Sequence, residues 1–535
     1  MTALAIRMSA RTAHRWRSAL TSAVGVFAFI GGWQIVAGGL FTGNGTIPTP
    51  SGIVAQILDD GLWFYLSLSM ETFRSAVQGY LWGNGFAILL AMVVVLVPAL
   101  QNTILLIGVV SYCMPIVAIG PVLVVVLSGS EPKVVLAALS VFFTTLLGAV
   151  AGLRSSDRTA LDLVHAFGGD SLAALLKVRI HSALPSLFAA LRIAAPAAVL
   201  GAIVAEYMGA EYGLGVAIIN AQQAMEVNRT WAVALAATAL AGVGYGLASL
   251  AAAILTPWAR DVRTDLAVTG PPRKRRGPTR TALLALARLT FSIGCILAVW
   301  QATLWLLGVP KFIGKGPADV WVYLTDPVSF AQRWALLWTE SLILLRDASL
   351  GLVSGTLAAL VVSILFNLWP TLQRAFLGLA IALRAIPLVA MTPIIVLVFG
   401  RNLVTITVIG GVITFFPTLV NVTLALAQAS RQATDLVHVY GGTRWHQLWK
   451  VQIPSALPAL FTSLRIAAPL ATTGAMMAAW LATGKGLGYA LVTAGTVSDY
   501  TGLWSRVALV TTFSIILYQV LEWLEQLVLG RMSGR

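Results

Sequence analysis

Apolar runs of membrane-crossing length follow one another along this chain and leave little choice of solvent. They lie near residues 20–40, 75–97, 103–128, 133–153, 186–208 and 231–256, and again near 283–308, 348–368, 376–399, 403–427, 458–482 and 505–528. A helix needs about 20 such residues to cross the hydrocarbon core. Backbone groups in lipid must satisfy one another within the segment. The pattern therefore predicts an all-α membrane protein with about twelve transmembrane helices. Composition agrees: 58% of residues are hydrophobic and 10% charged, where a soluble domain carries about 25% charged.

The net charge of +15 would point to nucleic acid in a soluble protein. Here its distribution matters more than its sum, and no nucleic-acid partner is expected. After the sixth run comes Pro271-Pro272-Arg273-Lys274-Arg275-Arg276-Gly277-Pro278, which can neither enter lipid nor pack a core. The expected division is thus a first six-helix half at 1–258, a basic Pro-rich linker at 259–281 and a second six-helix half at 282–535. Basic residues gather in alternate connections: Arg7, Arg11, Arg15 and Arg17; Arg154, Arg158, Lys177 and Arg179; the linker; Arg431, Arg444 and Lys450; and Arg531 with Arg535. The positive-inside rule makes these connections and both termini cytoplasmic. No small-residue cleavage site follows the N-terminal arginines, so the first apolar run reads as an uncleaved helix. Cys113 and Cys295 both fall in apolar runs and read as buried thiols.

The halves are copies. Asp162-Leu-Val-His165-Ala-Phe-Gly168-Gly169 recurs as Asp435-Leu-Val-His438-Val-Tyr-Gly441-Gly442. Ser182-Ala-Leu-Pro185 recurs as Ser455-Ala-Leu-Pro458, Leu191-Arg192-Ile-Ala-Ala-Pro196 as Leu464-Arg465-Ile-Ala-Ala-Pro469, and Gly213-Leu-Gly215 as Gly486-Leu-Gly488. The offset stays constant through this block. An even number of spans per half makes the repeat parallel, related by an axis along the membrane normal, with a seam at the axis where a pore can form.

The connections 154–185 and 428–457 are long on a face whose other turns, such as 98–102 and 369–375, are short. A long connection kept in both copies is expected to be folded and functional. Its pattern predicts two short amphipathic helices around a Gly-Gly break, the second beginning near Ser171 or Arg444 and carrying Leu172, Leu175 and Leu176, or Trp445, Leu448 and Trp449, at helical spacing. Such a helix either docks into another protein or anchors at the membrane interface. The connections on the other face, 41–74 and 309–347, contain amphipathic stretches at 50–58 and 316–324, which either receive a binding protein or lie on the membrane.

An acidic residue, then Gly, then a stretch ending in Ile-x-x-x-x-Leu-Pro resembles the "EAA" loop of ABC importer permease chains, also described as binding-protein-dependent transport system inner membrane components. Arg384-Ala-Ile-Pro387, Phe415-Phe416-Pro417 and the Gly-Leu-Gly after the fifth span are similar to the nitrate/sulfonate/taurine branch. The resemblance covers most of both halves and implies a type I importer fold with two permease halves fused in one chain. It implies that Asp162, His165, Gly168, Gly169, Leu172 and Leu176, with Asp435, His438, Gly441, Gly442, Trp445 and Trp449, couple the pore to two ATP-binding cassette ATPase subunits. It implies a substrate-binding protein as a further partner, a bacterial inner-membrane location, and small anions such as sulfonates or nitrate as solutes; related systems carry neutral or cationic vitamin precursors. The chain departs from the family in having Asp162 and Asp435 where Glu is usual, Val164 and Val437 where Ala is usual, His181 where Pro454 stands in the second copy, and Ala479 opposite Glu206.

No ATP-binding motif is present: Gly484-Lys485-Gly486 lacks the phosphate-loop frame. The chain is therefore expected to bind no cofactor and to perform no catalysis, ATP and Mg belonging to the partner ATPase. No His, Cys or carboxylate cluster has metal-ligand spacing. Arg192, Arg384 and Arg465 sit inside apolar runs, where a charge costs about 2.5–3.5 kcal/mol. They either reach the headgroups or backbone carbonyls, or line the path and attract an anion. Glu206, near the outer end of its run, is a gate, a solute contact or an interfacial charge. Two rivals are an ion-driven secondary transporter of two six-helix bundles, which would need embedded acidic groups, and a membrane enzyme, which would need a polar catalytic cluster.

Overall fold

The computed structural model describes residues 23–39, 47–258, 278–383 and 388–532, and these are helical with no strand among them. The first half contains α1 (Ala23–Gly39), α2 (Pro50–Asp60), α3 (Leu62–Leu96), α4 (Gln101–Cys113), α5 (Ile116–Val126), α6 (Glu131–Arg154), α7 (Arg158–Ala166), α8 (Ser171–Gly209), α9 (Leu214–Gln223) and α10 (Val227–Leu255). The second repeats it element for element: α11 (Pro278–Leu306), α12 (Pro317–Thr325), α13 (Phe330–Leu368), α14 (Pro370–Leu383), α15 (Leu388–Phe399), α16 (Leu403–Ala427), α17 (Arg431–Val439), α18 (Arg444–Thr483), α19 (Leu487–Thr496) and α20 (Tyr500–Met532).

Eight of these helices are long and apolar enough to cross a membrane: α3, α6, α8, α10, α13, α16, α18 and α20. The remaining expected crossings coincide with shorter pieces: α1, residues 290–306 of α11, the pair α4–α5, and α14–α15, which flank the undescribed residues 384–387. Arg384, the N-terminal arginines and the basic run at 273–276 lie outside the described residues.

Three expectations are corrected. The run at 103–128 is not one straight span; α4 and α5 meet at 92°. Pro115 has no N–H to continue the helix, and it drives Met114 to an extended conformation (φ −75°, ψ 111°). The connections 41–74 and 309–347 are shorter than predicted, because α3 begins at Leu62 and α13 at Phe330. Polar residues there, among them Thr72, Glu340 and Asp347, lower the hydropathy of the sequence yet are buried between helices. Finally, the run at 186–208 is only the far part of α8, which starts at Ser171.

Close helix crossings hold each half together. A Cβ on Gly351 would stand 2.7 Å from the Cα of Gly410, and one on Gly79 would stand 2.6 Å from the carbonyl oxygen of Val134. Only glycine admits backbones this near, the small-residue packing expected in lipid. The halves share one apolar core in which Ala198 and Ile203 of α8 join Ala471 and Met476 of α18. Tyr112 Oη donates to the Ile466 carbonyl across the seam at 2.7 Å, and the hydroxyls of Thr103 and Ser292 lie 3.1 Å apart.

On the face away from α7, α2 is clamped to the start of α10. Asp60 accepts from Arg229 Nη2 at 2.6 Å and from Tyr65 Oη at 2.6 Å, and Arg229 also pairs with Glu226. The Arg229 guanidinium, helped by Tyr65 and Gln56, holds the Asp60 carboxyl down at about 2 against its usual 3.8. A depressed folded-state value means the clamp is at full strength above the unfolded value and is lost as pH falls from 3.8 toward 2. Hydrogen exchange in residues 50–60, corrected for its intrinsic pH dependence, is expected to stay flat down to that window and rise within it. Asp60→Asn should show the raised exchange already at neutral pH; unchanged exchange in that variant would refute the clamp.

Candidate functional site

The duplicated connections fold as two matching hairpins. In the first, Asp157 caps α7 by accepting from Thr159 N, and the chain turns at Gly168 (φ +79°). Gly168 N bonds the His165 carbonyl and Gly169 N the Val164 carbonyl, each at 2.9 Å. This left-handed C-terminal stop favours glycine. Asp170 then caps α8 through Ala173 N at 2.8 Å. In the second, Ser430 caps α17, Gly441 takes φ +76°, and Gly442 N bonds the Val437 carbonyl at 2.8 Å. Thr443 and His446 form a reciprocal cap at the start of α18, with Oγ1 and Nδ1 2.8 Å apart.

Of the apolar residues predicted at helical spacing, one per copy turns inward. Leu175 and Leu448 are 1% and 0% exposed, Leu175 packing with Leu153 and Ala183, and Leu448 with Leu426 and Ala456. Both sit in a π-helical turn, Leu175–Arg179 or Leu448–Gln452, that carries the surface helix directly into the span. The helix therefore does not end after a short amphipathic stretch, as the sequence predicts; surface helix and span are one rod. Arg179 donates to the Leu153 carbonyl at 3.3 Å and Asn367 Nδ2 to Gln452 Oε1 at 2.6 Å, fixing the hairpins to neighbouring spans.

The other apolar side chains face outward. Leu163, Phe167, Leu172 and Leu176 in the first copy, and Leu436, Tyr440, Trp445 and Trp449 in the second, are all at least half exposed, with Phe167 and Tyr440 at 85%. The Trp445 and Trp449 rings meet edge to face at 6.2 Å. Asp162, His165, Asp435 and His438 are exposed beside these ridges. Asp435, His438, Gly441, Gly442, Arg444 and Gln447 line an open concavity. Phe167 and Tyr440 were not among the expected site residues, although the motif carries an aromatic residue before Gly-Gly in both copies.

The intramembrane charges fall into unlike settings. Arg465 lies 3.7 Å from Glu522 and 3.5 Å from Glu525, and its guanidinium stands 5.6 Å from the Tyr518 ring centre. The repeat register puts Ser249 and Ala252 where those two carboxylates would stand around Arg192, whose buried Nε has no hydrogen-bond partner. The i, i+3 spacing of Glu522 and Glu525 in an apolar run was the available signal for the Arg465 cluster. Glu206 is wholly buried and accepts from Thr72 Oγ1 at 2.9 and 3.0 Å and from Gly215 N at 2.9 Å. Leu214 N donates in turn to Thr72 Oγ1 at 3.0 Å. The carboxylate thus ties the Gly213–Gly215 turn to α3.

The pattern of the family described as "Binding-protein-dependent transport system inner membrane component" matches this chain twice, at residues 83–261 and 351–534. Among curated relatives, the riboflavin transport system permease protein of Chloroflexus aurantiacus is 31% identical over 244 residues, which is 45% of this chain and 88% of the relative. The formylaminopyrimidine transport permease protein of Halalkalibacterium halodurans is 27% identical over 234 residues, 44% of this chain and 91% of the relative. The taurine transport system permease protein of Escherichia coli is 25% identical over 237 residues, 43% of this chain and 85% of the relative. Each relative is spanned nearly whole by less than half of this chain, as a fused pair requires. The chain belongs to the binding-protein-dependent transport system inner membrane component family, the permeases of ABC importers, and carries two such modules in one polypeptide.

Proposed function

We propose that this chain alone forms the membrane pathway of an ATP-driven importer, with one ATPase subunit docked on each hairpin. The observation that carries the reading is the pair of exposed apolar ridges at equivalent places, each continuous with a span. Burying a ridge side chain is worth about 1.5–3 kcal/mol. The Gly168-Gly169 and Gly441-Gly442 turns present the ridges. Asp162, His165, Asp435 and His438 supply charge and hydrogen bonds at their edge. On this reading the hairpin face and both termini are cytoplasmic in a bacterial inner membrane, and ATP with Mg sits on the partner. A soluble binding protein delivers solute to the opposite face, beside α2, α9, α12 and α19. Closure of the ATPase pair moves the rods α8 and α18, and access alternates about the seam; the driving energy is the difference in ATPase contact between the two states.

For the solute, a flat heteroaromatic compound is the better match. Relatives named for formylaminopyrimidine and riboflavin transport align over 91% and 88% of their lengths, and Arg465 is already compensated by two carboxylates. A small anion is the second reading, favoured by Arg192, whose Nε is unpartnered.

The test is co-purification of this chain, tagged and produced in its own cells, with an ATP-binding cassette ATPase. Two ATPase copies per chain are expected. Replacing Leu172, Leu176, Trp445 and Trp449 by serine should abolish co-purification while leaving the chain monodisperse. ATPase retained at full stoichiometry in that variant would refute the docking surface.

A further inference from the structure

The repeat itself marks where the seam closes. In the register that pairs Asp162 with Asp435 and Arg192 with Arg465, Tyr207 pairs with Trp480. Positions related by a two-fold rotation can touch each other only beside the axis. These two do touch: their ring centres are 5.6 Å apart and their planes lie at 89°. Tyr207 is in the last turn of α8, which ends at Gly209, and Trp480 in the last turn of α18, which ends at Thr483. Both are therefore at the end of the seam remote from the hairpins.

We infer that Tyr207 and Trp480 form the gate that closes the translocation seam on the face opposite the hairpins, with Tyr207 as a fixed jamb and Trp480 as the moving leaf. The inference rests on the permease reading above and adds the residues and the division of labour between them.

The jamb is fastened from three sides. Tyr207 Oη donates to Gln222 Oε1 on α9 at 2.7 Å. Its chain neighbour Glu206 holds both Thr72 of α3 and Gly215 N of α9. The turn closes as an ordinary helix end, with Ala210 N bonded to the Glu206 carbonyl at 3.4 Å. Swinging Tyr207 would break this buried network, whose polar groups have no water to turn to.

The leaf has no such fastening. Ala479 stands where Glu206 does, so no carboxylate ties this turn to its neighbours. The backbone instead widens into a π-helical turn over Ala479–Thr483, closed by Gly484 N on the Ala479 carbonyl at 2.9 Å. Single π turns occur mostly at functional positions. A π turn that relaxes to α shifts register by one residue, which rotates the side chains beyond it by about 100°. Trp480 is the second residue of that turn, so the same relaxation, with the turn's far end held, swings its ring off the axis without breaking an ion pair. The edge-to-face ring contact that is lost on opening can be replaced by contact of the same rings with a flat solute.

The test uses the full chain with Cys113 and Cys295 replaced by serine and a protease site placed between the halves. In Tyr207→Cys/Trp480→Cys, the bifunctional thiol reagent dibromobimane should keep the halves joined on a denaturing gel after cleavage, and should do so with or without ATPase. With the partner ATPase bound, ATP and vanadate should lower that yield about tenfold. A link that never forms, or one that persists unchanged while nucleotide is demonstrably trapped, overturns the gate. Failure of any ATPase to bind overturns the permease reading, and the gate with it. The asymmetry is read from single cysteines labelled by a charged thiol reagent. ATP and vanadate should change the labelling rate about tenfold at Trp480→Cys and less than about twofold at Tyr207→Cys. Equal changes at both positions overturn the jamb-and-leaf assignment. Trp480→Phe, which keeps a ring on the leaf and leaves the Tyr207 anchor intact, should retain transport, and its loss would also count against a gate made of ring contact.

Discussion

Gly168→Val/Gly441→Val is expected to reach the membrane intact yet transport almost nothing, while its bound ATPase continues to hydrolyse ATP. Both glycines hold φ near +80°, where a β-branched residue is a genuine outlier. No heavy atom outside their own neighbours lies within 4 Å of a Cβ added at either, so the penalty is conformational and local. It amounts to about 1–2 kcal/mol per turn, enough to depopulate the hairpin roughly 5–30-fold. The inward anchors Leu175 and Leu448 lie on the far side of the turn and stay packed, so the spans are not expected to unfold. Uptake into proteoliposomes should fall by about tenfold or more with ATP hydrolysis no longer tied to solute. The second copy should contribute more of the loss, because Tyr440, Trp445 and Trp449 offer a larger apolar surface than Phe167, Leu172 and Leu176. Coupled uptake surviving in the double variant would remove the hairpins from the mechanism.

Glu340→Gln is expected to give a large loss of stability for a single substitution. Glu340 of α13 accepts from Arg506 Nε at 3.0 Å and from Arg506 Nη2 at 3.1 Å, and both side chains are about nine-tenths buried. Removing one charge strands the other, which costs about 3–5 kcal/mol. Replacing both partners with apolar groups of similar volume removes the stranded charge and can be nearly neutral. Glu340→Gln should therefore lower the temperature at which the detergent-solubilised chain loses its monodisperse peak, and Glu340→Leu/Arg506→Met should restore most of the difference. A single variant that melts like the parent, or a double variant worse than the single, would show that the pair does not hold α13 to α20.

Features that rest on length and local chemistry were legible in the sequence. The crossings follow from runs of apolar residues, and the Gly-Gly hairpins from a stop signal that only glycine supplies cheaply. What escaped was set by tertiary contact. Residues 62–74 and 330–347 read as loop because Thr72, Glu340 and Asp347 carry polar groups, and nothing local says that each is buried against another helix. Glu206 stood out as an unduplicated acid, but its partners Thr72 and Gly215 come from different elements. The 92° break after α4 was signalled by Pro115, yet a proline within an apolar run reads equally as a mild kink. The contact of Tyr207 with Trp480 was present in the repeat register all along; only the three-dimensional arrangement turns a pair of aligned letters into neighbours.

Joining the two modules has a consequence for how such a protein can diversify. In a dimer of identical subunits every residue at the central axis faces itself, so each substitution there happens twice and must suit its own mirror role. A covalent tandem escapes that restriction, since one module always meets the other and never a copy of itself. Glutamate can stand opposite alanine, an uncompensated arginine opposite a neutralised one, and a phenol opposite an indole, each side specialising while the shared scaffold stays put.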